Sequence, residues 1–416
     1  MALGVAVMLS AAPGAAQTPP QVRVTLDQAI ELARQHNHAL LAARTTIQQN
    51  QAQEITANLR PNPVLAGDTQ FLPLFSPGNF NTDYLQTNAQ FDLGVSYLFE
   101  RGGKRQRRLQ AARDQTAVTT AQVSDTERSL TFNVAAQFIG ALLAQSNLEF
   151  SDQDLASFQQ TVTVSQERFD AGGMSEGDLL KIKLQLLQFQ MDVSAARLAR
   201  MQALATLRQL LGYELVPENY EVSGTLAYQA VGLSRDDLKA LALRQRPDLR
   251  AAQFAVTAAE SQRALAIANG KRDFTAQISW SHVADTNTAS LFGNIEIPLF
   301  DRNQGEIART GFAITQTQQL SNEQVSIVMT DLVNADEAVR TAASVLALYD
   351  GGYLKQAQDS LDISQYAYQR GAATLLDFLD AQRSYRTTQL AYRQALATYM
   401  LAVEQLRQAV GTRNLP

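Results

Sequence analysis

The sequence predicts a mostly α-helical fold with a small β part, built from an internal duplication. Three observations carry this. First, residues 22–212 and 231–411 follow one pattern. Leu32-Ala33 recurs as Leu241-Ala242, Ala42-Ala43 as Ala251-Ala252, Phe99 as Phe300, Arg108 as Arg309, Gly172 as Gly371 and Gly212 as Gly411. Second, two stretches at about 104–170 and 305–369 contain no proline and few glycines, so each reads as a very long helix. Third, each half holds a pair of strands between its helices, and in the second pair polar and apolar residues alternate.

Composition narrows the function classes. A chain of 416 residues could hold two or three ordinary domains, but the duplication argues for two interlocked copies. The net charge of −5 argues against nucleic acid as a partner, which would want a basic face. With no cysteine, disulfides, thiolate metal sites, thiol catalysis and a lipid anchor on an N-terminal Cys are all excluded. Residues 1–16 are small and apolar, ending in Ala15-Ala16, and resemble the end of a secretory signal. No later apolar stretch is long enough for a transmembrane helix. Export without such a helix leaves the periplasm, the exterior or an outer-membrane barrel.

The elements follow in order. Within a first repeat at 17–212, Thr25-Leu26-Asp27-Gln28 is a capping-box sequence that starts a helix. That helix runs to about Leu59, where Arg60-Pro61-Asn62-Pro63 stops it, with a break expected near His38. In the second repeat, 231–411, the equivalent helix starts at Ser234, and Pro247 should end a short helix near Gln245 and begin another. A β-hairpin at 64–99 pairs Val64–Leu74 with Asn88–Phe99, its loop opening at Ser76-Pro77-Gly78-Asn79. A second hairpin at 274–300 pairs Phe274–Val283 with Ala289–Phe300 through a turn at Asp285-Thr286-Asn287. Strands of about ten residues cross a bilayer when tilted. Trp280 and Phe71 hold equivalent positions, suited to an interfacial aromatic belt or to plain cross-strand packing.

The long helices should break near Ser146–Asp154 and Ala347–Gly352, and end at the turns Asp170–Met174 and Arg370–Ala373. A return helix follows each turn. Leu179, Ile182, Leu186, Phe189, Val193 and Ala196 alternate steps of three and four, as do Phe378, Ala381, Tyr385, Thr388, Tyr392 and Ala395. That is a coiled-coil seam. A connector at 213–230 separates the repeats and a tail at 412–416 closes the chain.

Four amphipathic strands cannot close a barrel, and an open edge in lipid would leave backbone groups unpaired. Oligomerisation closes it, and three copies would supply twelve strands, a number that this reasoning alone does not fix. The helices of the copies would continue the barrel as a coiled-coil tube.

At this point the residues resemble the TolC-like outer-membrane factors, the exit ducts of efflux and type I secretion systems. The resemblance covers nearly all of 22–412. It is strongest over Gly371-Ala372-Ala373-Thr374-Leu375-Leu376-Asp377-Phe378-Leu379-Asp380-Ala381, with Arg246-Pro247-Asp248-Leu249 and Pro298-Leu299-Phe300-Asp301-Arg302 in support. Phe99-Glu100-Arg101-Gly102-Gly103-Lys104-Arg105 is most similar to the heavy-metal cation efflux branch. The resemblance implies a homotrimer with a twelve-stranded transmembrane β-barrel above a periplasmic helical tunnel. It implies an outer-membrane location, a periplasmic adaptor (membrane fusion protein) and an inner-membrane pump of the RND type. It implies neither enzyme activity nor a cofactor.

The candidate sites are three. Asp377 and Asp380 match the family's acidic entrance ring, with Asp178 equivalent to Asp377, although a solvated acidic helix start reads the same way. In some relatives the residue matching Asp178 pairs with an Arg two places after the second glycine; here Ala373 stands there, and Arg370 is the nearest substitute. The turns at Gly172-Gly173 and Gly371, flanked by Arg168 and Arg370, are the expected adaptor contacts. Arg101, Lys104 and Arg105, with Arg107 and Arg108, sit where a strand becomes a helix and suit lipid headgroup phosphates, while Trp280 suits the interface belt. Gly102-Gly103-Lys104 lacks the first glycine and the Ser or Thr of a phosphate loop. Three histidines, with His36 and His38 on different helix faces, make no metal site. The alternatives that remain are a drug or protein-secretion duct of the same family and a soluble periplasmic coiled-coil scaffold.

Overall fold

The computed structural model describes residues 22–232 and 234–414; the expected signal segment at 1–16 lies outside the described residues. In chain order the elements are β1 (Val22–Val24), α1 (Leu26–His36), α2 (His38–Asn58), β2 (Val64–Gln70), α3 (Thr82–Thr87), β3 (Gln90–Phe99), α4 (Lys104–Asp170) and α5 (Glu176–Leu211). Then come β4 (Tyr220–Val222), α6 (Arg235–Gln245), α7 (Pro247–Asn269), β5 (Phe274–Val283), β6 (Thr286–Ile295), α8 (Gln304–Leu348), α9 (Leu354–Gln369) and α10 (Leu375–Val410). The compact units are not the repeats. One unit takes in residues up to 37, 133–229 and 342–401; the other takes 38–132, 230–341 and 402 onward.

In the first unit, Thr25 caps α1 as a full capping box: Gln28 N donates to Thr25 Oγ1 and Thr25 N donates to Gln28 Oε1. Such a cap is worth about 1 kcal/mol. β1 pairs in parallel with β4, and the buried Tyr220 hydroxyl donates to Leu204 O at 2.6 Å. The core joins the predicted seam positions Ile182, Phe189 and Phe378 to Phe158, Leu361, Tyr368 and Leu375, which the heptad did not single out. Phe158 of α4 stacks on Phe189 of α5 at 4.5 Å, and Tyr368 of α9 stacks on Phe378 of α10 at 5.4 Å, with Ile182, Leu361 and Leu375 among them. Aromatic pairs of this kind add about 1 kcal/mol beyond their buried area.

In the second unit, β2-β3-β5-β6 form an antiparallel sheet in that order, with β2 and β6 as its edges. The register sorts most side chains by polarity, with Val64, Leu98 and Phe292 among the apolar exceptions on the polar face and Thr69, His282 and Asn287 as polar exceptions on the apolar one. One face carries Leu65, then Phe91, Leu93, Val95, Tyr97 and Phe99, then Phe274, Ile278 and Trp280, then Leu291 and Ile295. The other carries Asp68 and Gln70, Gln90, Asp92 and Ser96, Gln277, Ser279 and Ser281, and Thr288 and Ser290. The apolar face is exposed: Leu65 is 68% accessible, Ile278 56% and Leu291 83%.

Several boundaries differ from expectation. The first hairpin strand ends at Gln70 because Phe71 adopts φ 58, and its loop holds a 3₁₀ turn (Pro77–Asn79) and α3 rather than irregular chain. The second hairpin turns at Ala284-Asp285, both at positive φ (46 and 61), so β6 starts at Thr286 and ends at Ile295. A two-residue loop of this kind matches the right-handed twist of its strands, and that geometry overrode the Asp-Thr-Asn signal. The expected break at Ser146–Asp154 does not occur: α4 is one helix of 67 residues. The second break does occur, as a π-turn at Tyr349–Tyr353 with Gly352 at φ 120. The helix break near His38 falls at Asn37, and its equivalent at Arg246.

Candidate functional site

The two helical turns of the first unit are built alike. After α4, Gly172 takes φ 77; its N–H donates to Phe169 O and the Gly173 N–H to Arg168 O. After α9, Gly371 takes φ 77; its N–H donates to Tyr368 O and the Ala372 N–H to Ala367 O. Each is a Schellman cap, in which a left-handed residue satisfies the last helical carbonyls. Glycine takes that conformation without the Cβ cost.

Each turn then opens its return helix with a hydroxyl cap. Asp178 N donates to Ser175 Oγ at 3.1 Å, and Asp377 N to Thr374 Oγ1 at 3.2 Å. Thr374 is the more complete cap, since its own N–H (3.0 Å) and hydroxyl (2.6 Å) both donate to Asp377 Oδ2. The neighbouring hydroxyl holds each carboxyl below its ordinary range, Ser175 then Lys181 for Asp178, and Thr374 for Asp377. Both aspartates are therefore ionised at neutral pH, where the helix N-terminus also favours negative charge. Asp377 is thus engaged by the cap. Asp380 stands in solvent, its side chain 68% exposed and 3.9 Å from Arg383.

The flanking arginines are folded down onto tyrosines. Arg168 lies 5.4 Å over the Tyr368 ring and donates to Tyr368 O, which joins the end of α4 to the end of α9. Arg370 lies 5.3 Å over the Tyr366 ring. Arg370 does not substitute for the missing latch: among the described residues Asp178 makes its ion pair with Lys181, at 3.2 Å.

The strand-to-helix junction belongs to the second unit. Gly102 and Gly103 both take positive φ (75 and 72), turning the chain from β3 into α4. A Cβ on Gly102 would meet Lys271 Cδ at 2.6 Å, so the turn also needs the space. Not all of the basic cluster faces outward. Lys104 Nζ binds Asp273 at 2.7 Å with its side chain 12% exposed, and Arg101 N donates to the same carboxylate. Arg108 bridges Glu100 and the carbonyls of Ala57 and Leu59. Trp280 is not beside them. Phe274 pairs with Phe99 at the junction end, and Trp280 lies six residues further along β5, about 20 Å away. There its Nε1 donates to Asn287 and its ring stacks on His282. The cluster and Trp280 mark opposite ends of the sheet, and Phe71, outside its strand, is no counterpart of Trp280.

Two buried charge networks were not anticipated. In the second unit Arg246, 2% exposed, binds Asp248 and Asp331 and donates to Ala409 O, while Arg128 approaches Asp248 at 3.6 Å. In the first unit Arg386 binds both Asp154 and Asp192. For Arg386 the only sequence signal was a charged residue beside the heptad position Tyr385, which a solvated helix face produces equally well; Arg246 and Asp248 stood out as part of a family match, without their buried role. Among the described residues no group of three His, Cys, Asp or Glu side chains could hold a metal ion, and no helix is long and apolar enough to cross a membrane.

A sheet with strands of bilayer-crossing length and an apolar face, in a chain otherwise made of long helices, defines a class of channel-forming outer-membrane proteins. The outer membrane efflux protein family matches at residues 29–213 and again at 238–412, once per repeat, and the chain belongs to that family. It is an outer-membrane efflux channel protein of the TolC-like kind, a class of transport proteins rather than enzymes. It is 24% identical over 404 residues to the cobalt-zinc-cadmium resistance protein CzcC of Cupriavidus metallidurans, covering 93% of this chain and 90% of that one. It is 23% identical over 411 residues to the pyoverdine export outer membrane protein OpmQ of Pseudomonas putida, covering 93% and 85%. The fold is similar to the crystal structure of CusC, with a TM-score of 0.77 at 22% identity over 94% of this chain and 93% of that one.

Proposed function

We propose that this chain is the exit duct of a tripartite efflux system and passes divalent heavy-metal cations outward without acting on them. One observation carries the reading: a four-stranded sheet with one apolar face, one polar face and two unpaired edges. Such a sheet is stable in lipid only when its edges are paired. Three chains close it as a twelve-stranded barrel with the polar face inward. A periplasmic adaptor and an RND-type inner-membrane pump complete the path. The likeness to CzcC, whose name records resistance to cobalt, zinc and cadmium, supports the metal cargo.

Within this reading the acidic residues at the turns, Asp380 foremost with Asp377 and Asp178, form the periplasmic entrance. Three chains would gather their negative charge on the axis and favour cations. The turns at Gly172-Gly173 and Gly371, with Arg168 and Arg370 as their braces, receive the adaptor. Arg101 and Arg105 meet headgroup phosphates, while Lys104 acts through Asp273 to hold the junction. Trp280 belongs to the opposite interface.

The likeness to OpmQ favours a second reading, a duct for small organic molecules. Deleting the gene and measuring growth with cobalt, zinc, cadmium, nickel, copper and several antibiotics separates the two. Metal sensitivity alone is the expected result, and a drug-only phenotype would reject the metal cargo.

A further inference from the structure

Arg386 of α10 is one cation shared by two carboxylates from two other helices. Its Nε lies 3.2 Å from Asp154 Oδ2 on α4, and its Nη1 contacts Asp192 Oδ2 on α5. Its guanidinium also lies 4.7 Å over the Phe189 ring. Two carboxylates and one guanidinium leave one surplus negative charge. The two acids differ in how they can carry it. The Asp192 side chain is 31% exposed, so water supports its charge, whereas that of Asp154 is only 4% exposed. Asp154 Oδ1 accepts from Gln382 Nε2 at 2.8 Å, and Oδ2 accepts no protein hydrogen bond despite its nearness to Arg386. A buried carboxylate oxygen without a donor is where a proton is most favourably placed.

We propose that Asp154, Arg386 and Asp192 form a proton-responsive clasp that holds α10 against α4 and α5, tightest when Asp154 is protonated. With that proton in place the surplus charge is gone, Gln382 still binds Asp154, and Arg386 serves Asp192. The other charged or titratable groups nearby are Arg383, which pairs with Asp380, Tyr385, which feels Asp154, Arg393 and Asp362 of α9, Arg393, which lies over the Phe150 ring, and Lys181 of α5, which pairs with Asp178. Neither Tyr385 nor Asp362 neutralises the surplus. The clasp borders a groove of about 1130 Å³ among α4, α5 and α10, lined by Ser151, Gln188, Asp192, Gln382, Arg386 and Leu390. Water therefore stands close to Asp154 once α10 shifts. The joint is near too: Tyr349, the first residue of the π-turn, packs on Tyr392 of the same α10. The clasp thus fastens the interrupted hairpin α9–α10 to the uninterrupted hairpin α4–α5.

The sign follows from linkage. Burial, outweighing Arg386 and Gln382, pushes the Asp154 carboxyl up to about 6. A state that exposes Asp154 to water returns it toward 3.8. The packed state binds the proton more tightly, so acidification through about 6 favours it and rising pH weakens it. The gap between those values bounds the change in packed-to-loosened ratio at about a hundredfold.

The test uses the full chain in its assembled form, where the absence of cysteine leaves introduced thiols as the only ones. Spin labels at Lys183→Cys on α5 and Ser384→Cys on α10, in chains diluted with unlabelled chain, report the α5–α10 distance. Between about pH 8 and about pH 5 the ratio of long-distance to short-distance population should fall about tenfold, with the change setting in near pH 6. Asp154→Asn should hold the short distance at both values. Asp192→Asn gives Arg386 wholly to Asp154 and should move the midpoint to lower pH. An unchanged distribution across that range, loosening on acidification, or a midpoint unmoved by Asp192→Asn would overturn the clasp. If Asp154→Asn does not assemble, the Asp192→Asn midpoint decides by itself.

Discussion

The first repeat joins β3 to the turn at Gly172-Gly173 by one helix, α4, whereas the second joins β6 to the turn at Gly371 by two, α8 and α9, connected through a π-turn. The two segments are equivalent, and the unbroken one, with Glu149, Asp152 and Asp154 against the single charge of Asp350, is the more polar, so polarity does not make the break. Ser146–Asp154 has no glycine, and two of its polar residues, Ser151 and Asp154, are buried in the packing while Glu149, Asp152 and Gln153 stay exposed. Gly351-Gly352 supplies what the first repeat lacks, a residue able to take φ 120. The opposite lesson comes from the breaks at Asn37 and Arg246. There the two repeats reach the same geometry (φ −67 with ψ 116 and 120) from different chemistry. Pro247 enforces it in the second repeat, and in the first His38 stands in its place. In both, the side chain at the break donates to the end of its return helix, Asn37 to Leu210 O and Arg246 to Ala409 O. Gly212 and Gly411 pack against those same breaks, where a Cβ would meet His36 Cβ at 3.0 Å or Arg246 Cα at 3.1 Å.

The break residues give the largest expected difference between repeats. Arg246→Ala leaves Asp248 with Gln324, the Leu249 N–H and, as its nearest cation, the more distant Arg128, and should cost about 3–5 kcal/mol. Asn37→Ala removes a neutral hydrogen bond and should cost about 1–2 kcal/mol. Denaturant unfolding of the two variants measures both, and equal losses would show that the breaks are held by something other than these side chains.

Next come the glycines. Asp152→Gly with Gln153→Gly would write the second repeat's joint into α4, at about 2 kcal/mol for two glycines in a helix interior. Gly352→Ala would force a side chain into the left-handed region, at about 1–3 kcal/mol. Hydrogen exchange should show new opening around 150–155 in the first variant. Unchanged protection there would mean that packing, not the missing glycines, keeps α4 whole.

The smallest effects lie at the caps. Thr374→Ala should cost about 1 kcal/mol and Ser175→Ala somewhat less, because the Thr374–Asp377 box makes three bonds. Both Asp178 and Asp377 are held below their ordinary range, so this support is present at neutral pH. It is lost as pH falls through the lowered values. Proteolysis at the two turns, followed from neutral to acid, should accelerate only at the acid end. Faster cleavage on raising the pH would contradict the capping geometry.

The duplication, the strand pairs, the seam positions and the breaks at 245–247 and 347–352 were legible in the sequence because each rests on a local signal: a repeat, a period, a proline or a glycine pair. The turn at Ala284-Asp285 was not, since alanine rarely takes positive φ and a stronger turn sequence stood two residues on. The entrance acids were legible as residues but not in their local roles. Thr374 and Asp377 read as part of a family motif, and only geometry separates a capping Asp377 from a solvent-facing Asp380. Lys104 looked like part of a headgroup patch because its partner, Asp273, is distant in sequence. The pairings of Arg386 and Arg246 also cross long sequence distances, which no periodicity reveals.

The central claim is that the open-edged sheet is completed by further copies of the chain in a membrane. Extracting the mature chain from outer membranes with detergent, determining its mass and recording it in planar bilayers tests this most directly. Three chains per particle and a conducting pore, with altered cation selectivity in the Asp377→Ala, Asp380→Ala variant, are the expected result. Recovery of the chain as a soluble monomer without detergent would contradict it.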